Sequence, residues 1–198
     1  VARFLKSGAN DFLHKPFSRE EFFCRISQNV DQLELIGTLQ DLATRDFLTG
    51  LPNRQHFLER GQERLREAVE AGRPATVAML DIDHFKRIND TWGHEAGDLA
   101  LRAIAAEVGR HAADSDLAAR FGGEEFCLVS VGREPDHARE WFESLRARVE
   151  ALRIRIGEET LQATISIGLA HAGAGADLHR LLLEADRMLY VAKAGGRN

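Results

Sequence analysis

The sequence predicts an α+β or α/β layer fold over residues 45–198, with a long helix over 19–44 in front of it. Three observations predict it. Segments with the helical period alternate with short apolar runs of strand length. One pair of those runs is joined only by Gly122-Gly123-Glu124-Glu125, a hairpin signal. The 198 residues are 44% apolar and 29% charged, the composition of a globular chain.

The elements follow in order. Residues 1–18 are short, aromatic and end in Lys15-Pro16-Phe17. Ser18 is a helix N-cap, with Glu20 and Glu21 in the first turn of a helix over 19–44. Phe23, Ile26, Val30 and Leu33, then Leu35, Leu39 and Leu42, recur at steps of three and four. That narrow stripe suits a two-helix seam better than a one-sided core helix, although Gly37 interrupts it. Residues 53–71 read as helix, and Gly72-Arg73-Pro74 breaks the chain before a buried strand at 76–82. A helix follows at 95–111, strands at 117–121 and 126–131, and a helix at 136–154. A strand at 161–170 and a helix at 177–194, ended by Gly195-Gly196, complete the chain. There is no internal repeat and no low-complexity tract.

Net charge is −5. That argues against a nucleic-acid partner, because a phosphate backbone calls for clustered Lys and Arg. A small anionic ligand is still allowed, since a few local cations, backbone N–H groups and a metal suffice. Cys24 and Cys127 have no metal-ligand spacing and are read as buried thiols of a reducing, cytoplasmic protein. No apolar run approaches the roughly 20 residues of a membrane helix, and no signal pattern opens the chain. Val1 falls inside what reads as a partial motif, so a further segment is expected upstream.

Several residue patterns can carry chemistry. The run Ala78-Met79-Leu80-Asp81-Ile82-Asp83 is an apolar strand ending in acids, with Asp81 and Asp83 two apart on one face. Hard cations such as Mg²⁺ take oxygen ligands and bridge one or two carboxylates to phosphates. In Phe121-Gly122-Gly123-Glu124-Glu125-Phe126 the glycines accept the positive φ of a tight turn and let a phosphate or ribose approach the backbone. The adjacent glutamates repel each other unless a cation or solvent stabilises them. Asp98, placed in the first turn of its helix, is a natural acceptor for guanine's N1–H and N2–H₂ edge, and Asn89 can donate to O6 or N7. Lys86, Lys193 and Arg197 are candidate phosphate cations. His84 and His94 lack zinc spacing and read as structural or solvated. No GxSxG elbow is present, which counts against covalent hydrolase chemistry.

Taken together, these segments resemble the GGDEF family of diguanylate cyclases over nearly all of residues 45–198. The matching stretches are Asp46-Phe47-Leu48-Thr49-Gly50-Leu51-Pro52-Asn53-Arg54, Asp81 through Asp98, and Arg120 through Phe126. Thr164-Ile165-Ser166-Ile167-Gly168 follows, and Ala185-Asp186, Tyr190, Ala192-Lys193 and Gly196-Arg197-Asn198 close the match. Residues 1–18 resemble the end of a response-regulator receiver domain, with Lys15-Pro16 as its Lys-Pro step.

The resemblance implies a fold like class III nucleotide cyclases and the polymerase palm, a mostly antiparallel sheet flanked by helices. It divides the chain into a receiver remnant (1–18), a linker and dimerisation helix (19–44) and a cyclase domain (45–198). It implies condensation of two GTP into cyclic di-GMP and two pyrophosphates within a homodimer, downstream of a receiver domain and a sensor kinase. Asp81, Glu124 and the Ile82 carbonyl would bind Mg²⁺ or Mn²⁺, two ions per loaded domain, with Glu125 assisting. Backbone N–H groups of His84 and Phe85, with Lys86, Lys193 and Arg197, would hold the triphosphate. Asn89 and Asp98 would read guanine beside Gly122 and Gly123. Glu124 replaces the family's motif Asp with the same ligand chemistry. The family's Arg-x-x-Asp product-inhibition site keeps Asp116 but has Ala113 at the arginine position, so that site reads as lost. Two other readings predict different chemistry: a nucleotide sensor without turnover, and an adaptor acting mainly through residues 1–44.

Overall fold

The computed structural model describes residues 15–173 and 175–198. The receiver-like stretch 1–14 lies outside them. The chain forms two compact units, divided between Ala43 and Thr44.

The first unit is dominated by α1, Arg19–Thr44. Ser18 caps it as expected, its Oγ accepting the Glu21 N–H at 3.0 Å. Phe23, Ile26, Val30, Leu33, Leu35 and Leu42 of the stripe are exposed, Leu33 at 61% and Leu42 at 68%. The Leu39 side chain is outside the described set. Cys24 is exposed, which corrects its reading as a buried thiol, whereas Cys127 is buried. Neighbouring apolar residues mark burial only when the helix face they share is covered.

The second unit comprises α2 Arg54–Glu70, β1 Ala75–Ile82, α3 Phe85–Trp92, α4 His94–His111, β2 Leu117–Gly122, β3 Glu125–Val131, α5 Pro135–Glu150, β4 Ile154–Ile156, β5 Glu159–Leu161, β6 Ile165–His171 and α6 Leu178–Ala194. Four strands form a sheet in the order β2-β3-β1-β6. Every neighbouring pair is antiparallel. β1 is buried along its whole length because both faces are covered. Its period of two divides the core. Ala78, Leu80 and Ile82 pack with Ile104, Phe126 and Phe142, under α4 and α5. Val77 and Met79 pack with Phe57, Cys127 and Leu189, under α2 and α6. By the same alternation Asp81, at the end of β1, falls on the α2/α6 side.

α6 lies close on β6. At Gly168 an added Cβ would sit 2.0 Å from the Ala185 carbonyl oxygen and 2.2 Å from the Leu189 nitrogen. Both are backbone atoms and cannot rotate away. Gly168→Ala is therefore expected to destabilise the domain by more than about 3 kcal/mol. Thermal unfolding should show a fall in Tm of about 6–12 °C.

The structure adds one element that the sequence reading leaves unassigned and corrects two expectations. The segment after Asp83 contains a separate helix, α3, which ends at Gly93 with φ 81°. The helix expected over 136–154 stops at Glu150. The strand expected over 161–170 divides into β5 and β6, and β5 pairs with β4 in a small hairpin turned at Gly157, φ 61°. The apolar steps through Leu152, Ile154 and Leu161 fit either period over so short a run, and only the glycine turn separates them.

Candidate active site

Asp81 stands at the end of β1, opposite Glu125 on β3 and Ser166 on β6. Its Oδ2 is paired with Lys193 Nζ, from the last turn of α6, at 2.8 Å. Burial pushes the Asp81 carboxyl up, and the Asp83 charge adds to this, against the opposing pull of Lys193 and Arg197. Burial also raises Glu125, helped by the charges of Asp81, Asp186 and Glu124 and opposed by Lys193. Asp83 is held differently. It accepts the Thr164 hydroxyl at 2.7 Å and the Ser166 hydroxyl at 2.6 Å. It is thus tied to Thr164 and to β6, while Asp81 is paired with the partly exposed Lys193.

This cluster of desolvated, mutually repelling carboxylates fits a divalent cation. Among the described residues no three His, Cys, Asp or Glu side chains converge to hold a metal by themselves. That fits Mg²⁺, which commonly takes one or two carboxylates and completes its shell with water and phosphate oxygens. Asp81, Glu124 and the Ile82 carbonyl belong to the same corner, where the Ile82 N–H donates to the Glu124 carbonyl at 3.3 Å. Asp186 is a carboxylate for which sequence reasoning assigned no role. The signal was its place in the Ala185-Asp186 stretch, seven residues before Lys193 and so on the same face of α6.

The hairpin glycines are not explained by turn geometry. Neither Gly122 nor Gly123 has positive φ, contrary to expectation. A Cβ at Gly123 would meet nothing within 4 Å, and one at Gly122 would meet Glu125 Oε2 at 3.1 Å. The fold therefore tolerates a side chain at 123, and its absence leaves room for something outside the chain.

The hairpin tip is fixed from below by Arg120. Its guanidinium donates to both Asp46 carboxylate oxygens at 3.0 and 3.2 Å, and to the Gly123 carbonyl at 3.1 and 2.8 Å. Asp46 also accepts the Thr49 N–H and hydroxyl. Burial works to raise the Asp46 carboxyl, but the Thr49 and Arg120 hydrogen bonds outweigh it and hold it below the ordinary value. Its contribution to stability is thus complete above the unfolded Asp value of about 3.9 and is lost as pH falls through the lowered folded pKa. Arg120→Ala is expected to cost about 2–4 kcal/mol in urea unfolding and to cut turnover at least roughly tenfold. Arg120→Lys should not rescue it, because the fork geometry is lost.

A cleft of about 450 Å³ opens beside this clamp, lined in part by Leu48, Asn53, Asp98, Gly122 and Gly123. Asp98 thus shares a cavity with the hairpin glycines. It lies past the first turn of α4, whose acid is Glu95, so dipole compensation does not account for it. Asn89 reaches α4 from α3, and a Cβ at Gly97 would lie 2.0 Å from its Oδ1. Gly97 is therefore what admits the Asn89 amide. His84, in the left-handed region at φ 55°, turns the chain into α3. The first helical hydrogen bonds run from the Arg87 and Ile88 N–H groups back to the His84 carbonyl. The Phe85 and Lys86 N–H groups precede them, at the positive end of the helix dipole. Lys86 is exposed on α3. Arg197 lines a different cleft, of about 370 Å³, with Ser166 and Arg146.

Asp116 is engaged within the fold. Its buried carboxylate accepts the Ala113 N–H at 2.9 Å, the Val131 N–H at 3.1 Å and Arg133 Nη1 at 2.8 Å. It closes the loop before β2 onto the end of β3, a role the sequence could not show.

A four-stranded antiparallel sheet, its carboxylates gathered at a glycine hairpin, defines a nucleotidyl-cyclase type of domain. The chain belongs to the family described as "Diguanylate cyclase, GGDEF domain", whose profile matches residues 43–198. It is 35% identical over 208 residues to the response regulator PleD of Caulobacter vibrioides, covering all of this chain and 46% of PleD. It is 41% identical over 157 residues to the diguanylate cyclase DgcP of Pseudomonas aeruginosa, covering 79% of this chain and 23% of DgcP. The chain therefore spans less than half the length of either relative. Among solved structures it resembles the coiled coil and GGDEF domain of DgcB from Caulobacter crescentus in complex with c-di-GMP. That match has a TM-score of 0.81 at 34% identity, covering 91% of this chain and 97% of that one. Among the described residues no helix is long and apolar enough to cross a membrane.

Proposed function

We propose that residues 45–198 condense two GTP molecules into cyclic di-GMP and two pyrophosphates. The observation that carries this reading is the corner where Asp81 faces Glu125 beside Gly123, a glycine that the fold does not require. Asp81, Glu124 and the Ile82 carbonyl are the groups that would hold Mg²⁺ or Mn²⁺, and Glu125 supports them with its charge. When bound, such ions lower the pKa of a hydroxyl and neutralise phosphate charge. The N–H groups of His84 and Phe85, with Lys86, Lys193 and Arg197, grip the triphosphate. Asp98 and Asn89 orient guanine, and Gly122 and Gly123 admit the nucleotide against the backbone. The 3′-hydroxyl of one GTP then attacks the α-phosphorus of the other, and the reverse attack closes the ring. Because the product is two-fold symmetric, two domains face each other and each supplies half of the reacting pair.

The exposed seam of α1 supports homodimer formation through residues 19–44, and the DgcB match extends over that protein's coiled coil. The PleD match over the whole chain supports residues 1–18 as the end of a receiver domain, with a sensor kinase upstream. GTP as substrate puts the domain in the cytoplasm. With Ala113 in place of arginine and Asp116 engaged internally, added product should inhibit only weakly through that site.

The test is chromatography of reaction products from GTP and Mg²⁺. Cyclic di-GMP is the expected product, and tight GTP binding without turnover would instead support a sensor. In the same assay Asp98→Ala should erase the preference for GTP over ATP, because the Asp98 carboxylate repels adenine's N1 lone pair. Unchanged discrimination would remove Asp98 from guanine recognition.

A further inference from the structure

Lys193 combines two demands on one ammonium group. It extends from the last turn of α6 with its side chain 31% exposed, and its Nζ lies 2.8 Å from an Asp81 carboxylate that is 10% exposed. Among the described residues, Lys193 is the cation that contacts the Asp81 carboxylate directly. Asp83 is bound by Thr164 and Ser166, Ser166 donates to Asp83, and Glu125 repels. Arg197 acts on Asp81 only through its charge.

A divalent cation approaching Asp81 Oδ2 to about 2.1 Å would be pressed against the ammonium already on that oxygen. The two charges repel at that oxygen, so each weakens the other's hold on it. Lys193 leaves readily only if another anion receives it, and its partly exposed side chain leaves it room to turn toward a triphosphate held at the start of α3.

We infer that Lys193 is a built-in competitor for the metal-binding carboxylate, so that nucleotide binding draws its ammonium off Asp81 and metal and GTP enter together. This rests on the reading of Asp81 as a metal ligand. The coupling is reciprocal: whatever factor the nucleotide adds to metal affinity, the metal adds to nucleotide affinity. Without nucleotide the site stays neutralised by the protein's own cation and takes up little free metal.

The test is Mn²⁺ binding to the full chain without nucleotide, followed by the loss of the free-ion paramagnetic resonance signal. Lys193→Met keeps the apolar stem and removes the charge. It is expected to bind Mn²⁺ about tenfold more tightly than the unaltered protein, and Lys193→Gln should do the same. A non-reactive GTP analogue should raise Mn²⁺ affinity by a larger factor in the unaltered protein than in either variant. Equal nucleotide-free affinities in all three, with Asp81→Asn still weakening Mn²⁺ binding, would overturn the competition and leave Asp81 as the ligand. If Lys193→Met combined with Asp81→Asn binds Mn²⁺ as tightly as Lys193→Met alone, the assignment of Asp81 fails, and the competition with it.

Discussion

Asp81→Asn is expected to abolish cyclic di-GMP formation, by at least about 10³-fold in kcat, while leaving the fold standing. The two halves of this expectation have separate causes. Activity falls because the carboxylate is the one acid at the end of β1 paired with a displaceable cation, and an amide cannot take its place as an anionic ligand. Stability is largely spared because burial disfavours the charged form of Asp81. With its folded pKa raised, the ionised carboxylate costs stability at neutral pH, and that cost is relieved as pH falls from the raised value to the unfolded one. Removing the charge forfeits the Lys193 pair but also removes that cost, so the net change should be under about 1 kcal/mol, within roughly 2–4 °C in Tm. Glu124→Gln should behave alike in turnover. Product chromatography and calorimetry on the same samples check both halves. Retained turnover in Asp81→Asn would sink the metal assignment.

A chain shortened to begin at Thr44 should still bind GTP but lose most turnover at nanomolar protein, recovering as concentration rises. Phe23, Ile26, Val30 and Leu33 keep the three-four rhythm of a coiled-coil seam and stand exposed on α1. A helix in water draws most of its stability from packing such a face. Pairing two copies in parallel would hold one cyclase domain near the other at an effective concentration of roughly millimolar order. Without the helix, encounter becomes bimolecular and the rate follows protein concentration. Equal specific activity of long and short chains at nanomolar protein would show that α1 does not set domain pairing.

The candidate residues Asp81, Gly122 and Gly123 were legible in the sequence because each sits at a punctuated place. Asp81 ends an apolar run, and Gly122 and Gly123 interrupt two others. Such breaks in pattern survive in one dimension. The reasons for the residues were less legible. The two hairpin glycines suggested positive φ, yet neither adopts it. Asp116 looked like half of a ligand site, yet it is consumed by Ala113, Val131 and Arg133. Arg120 and Asp46 lie 74 positions apart, and nothing local indicates that one clamps the other.

The sequence by itself determined the main run of helices and strands, though not α3 or the β4-β5 hairpin, along with the Ser18 cap and the identity of the acids, all set by local period and local chemistry. Only the tertiary structure decided the strand order β2-β3-β1-β6, which puts Glu125 opposite Asp81. It also decided the close approach of α6 to β6 at Gly168, which delivers Lys193 to that carboxylate. Charges brought together across the chain acquire their burial and their partners from packing, and packing has no period along the sequence.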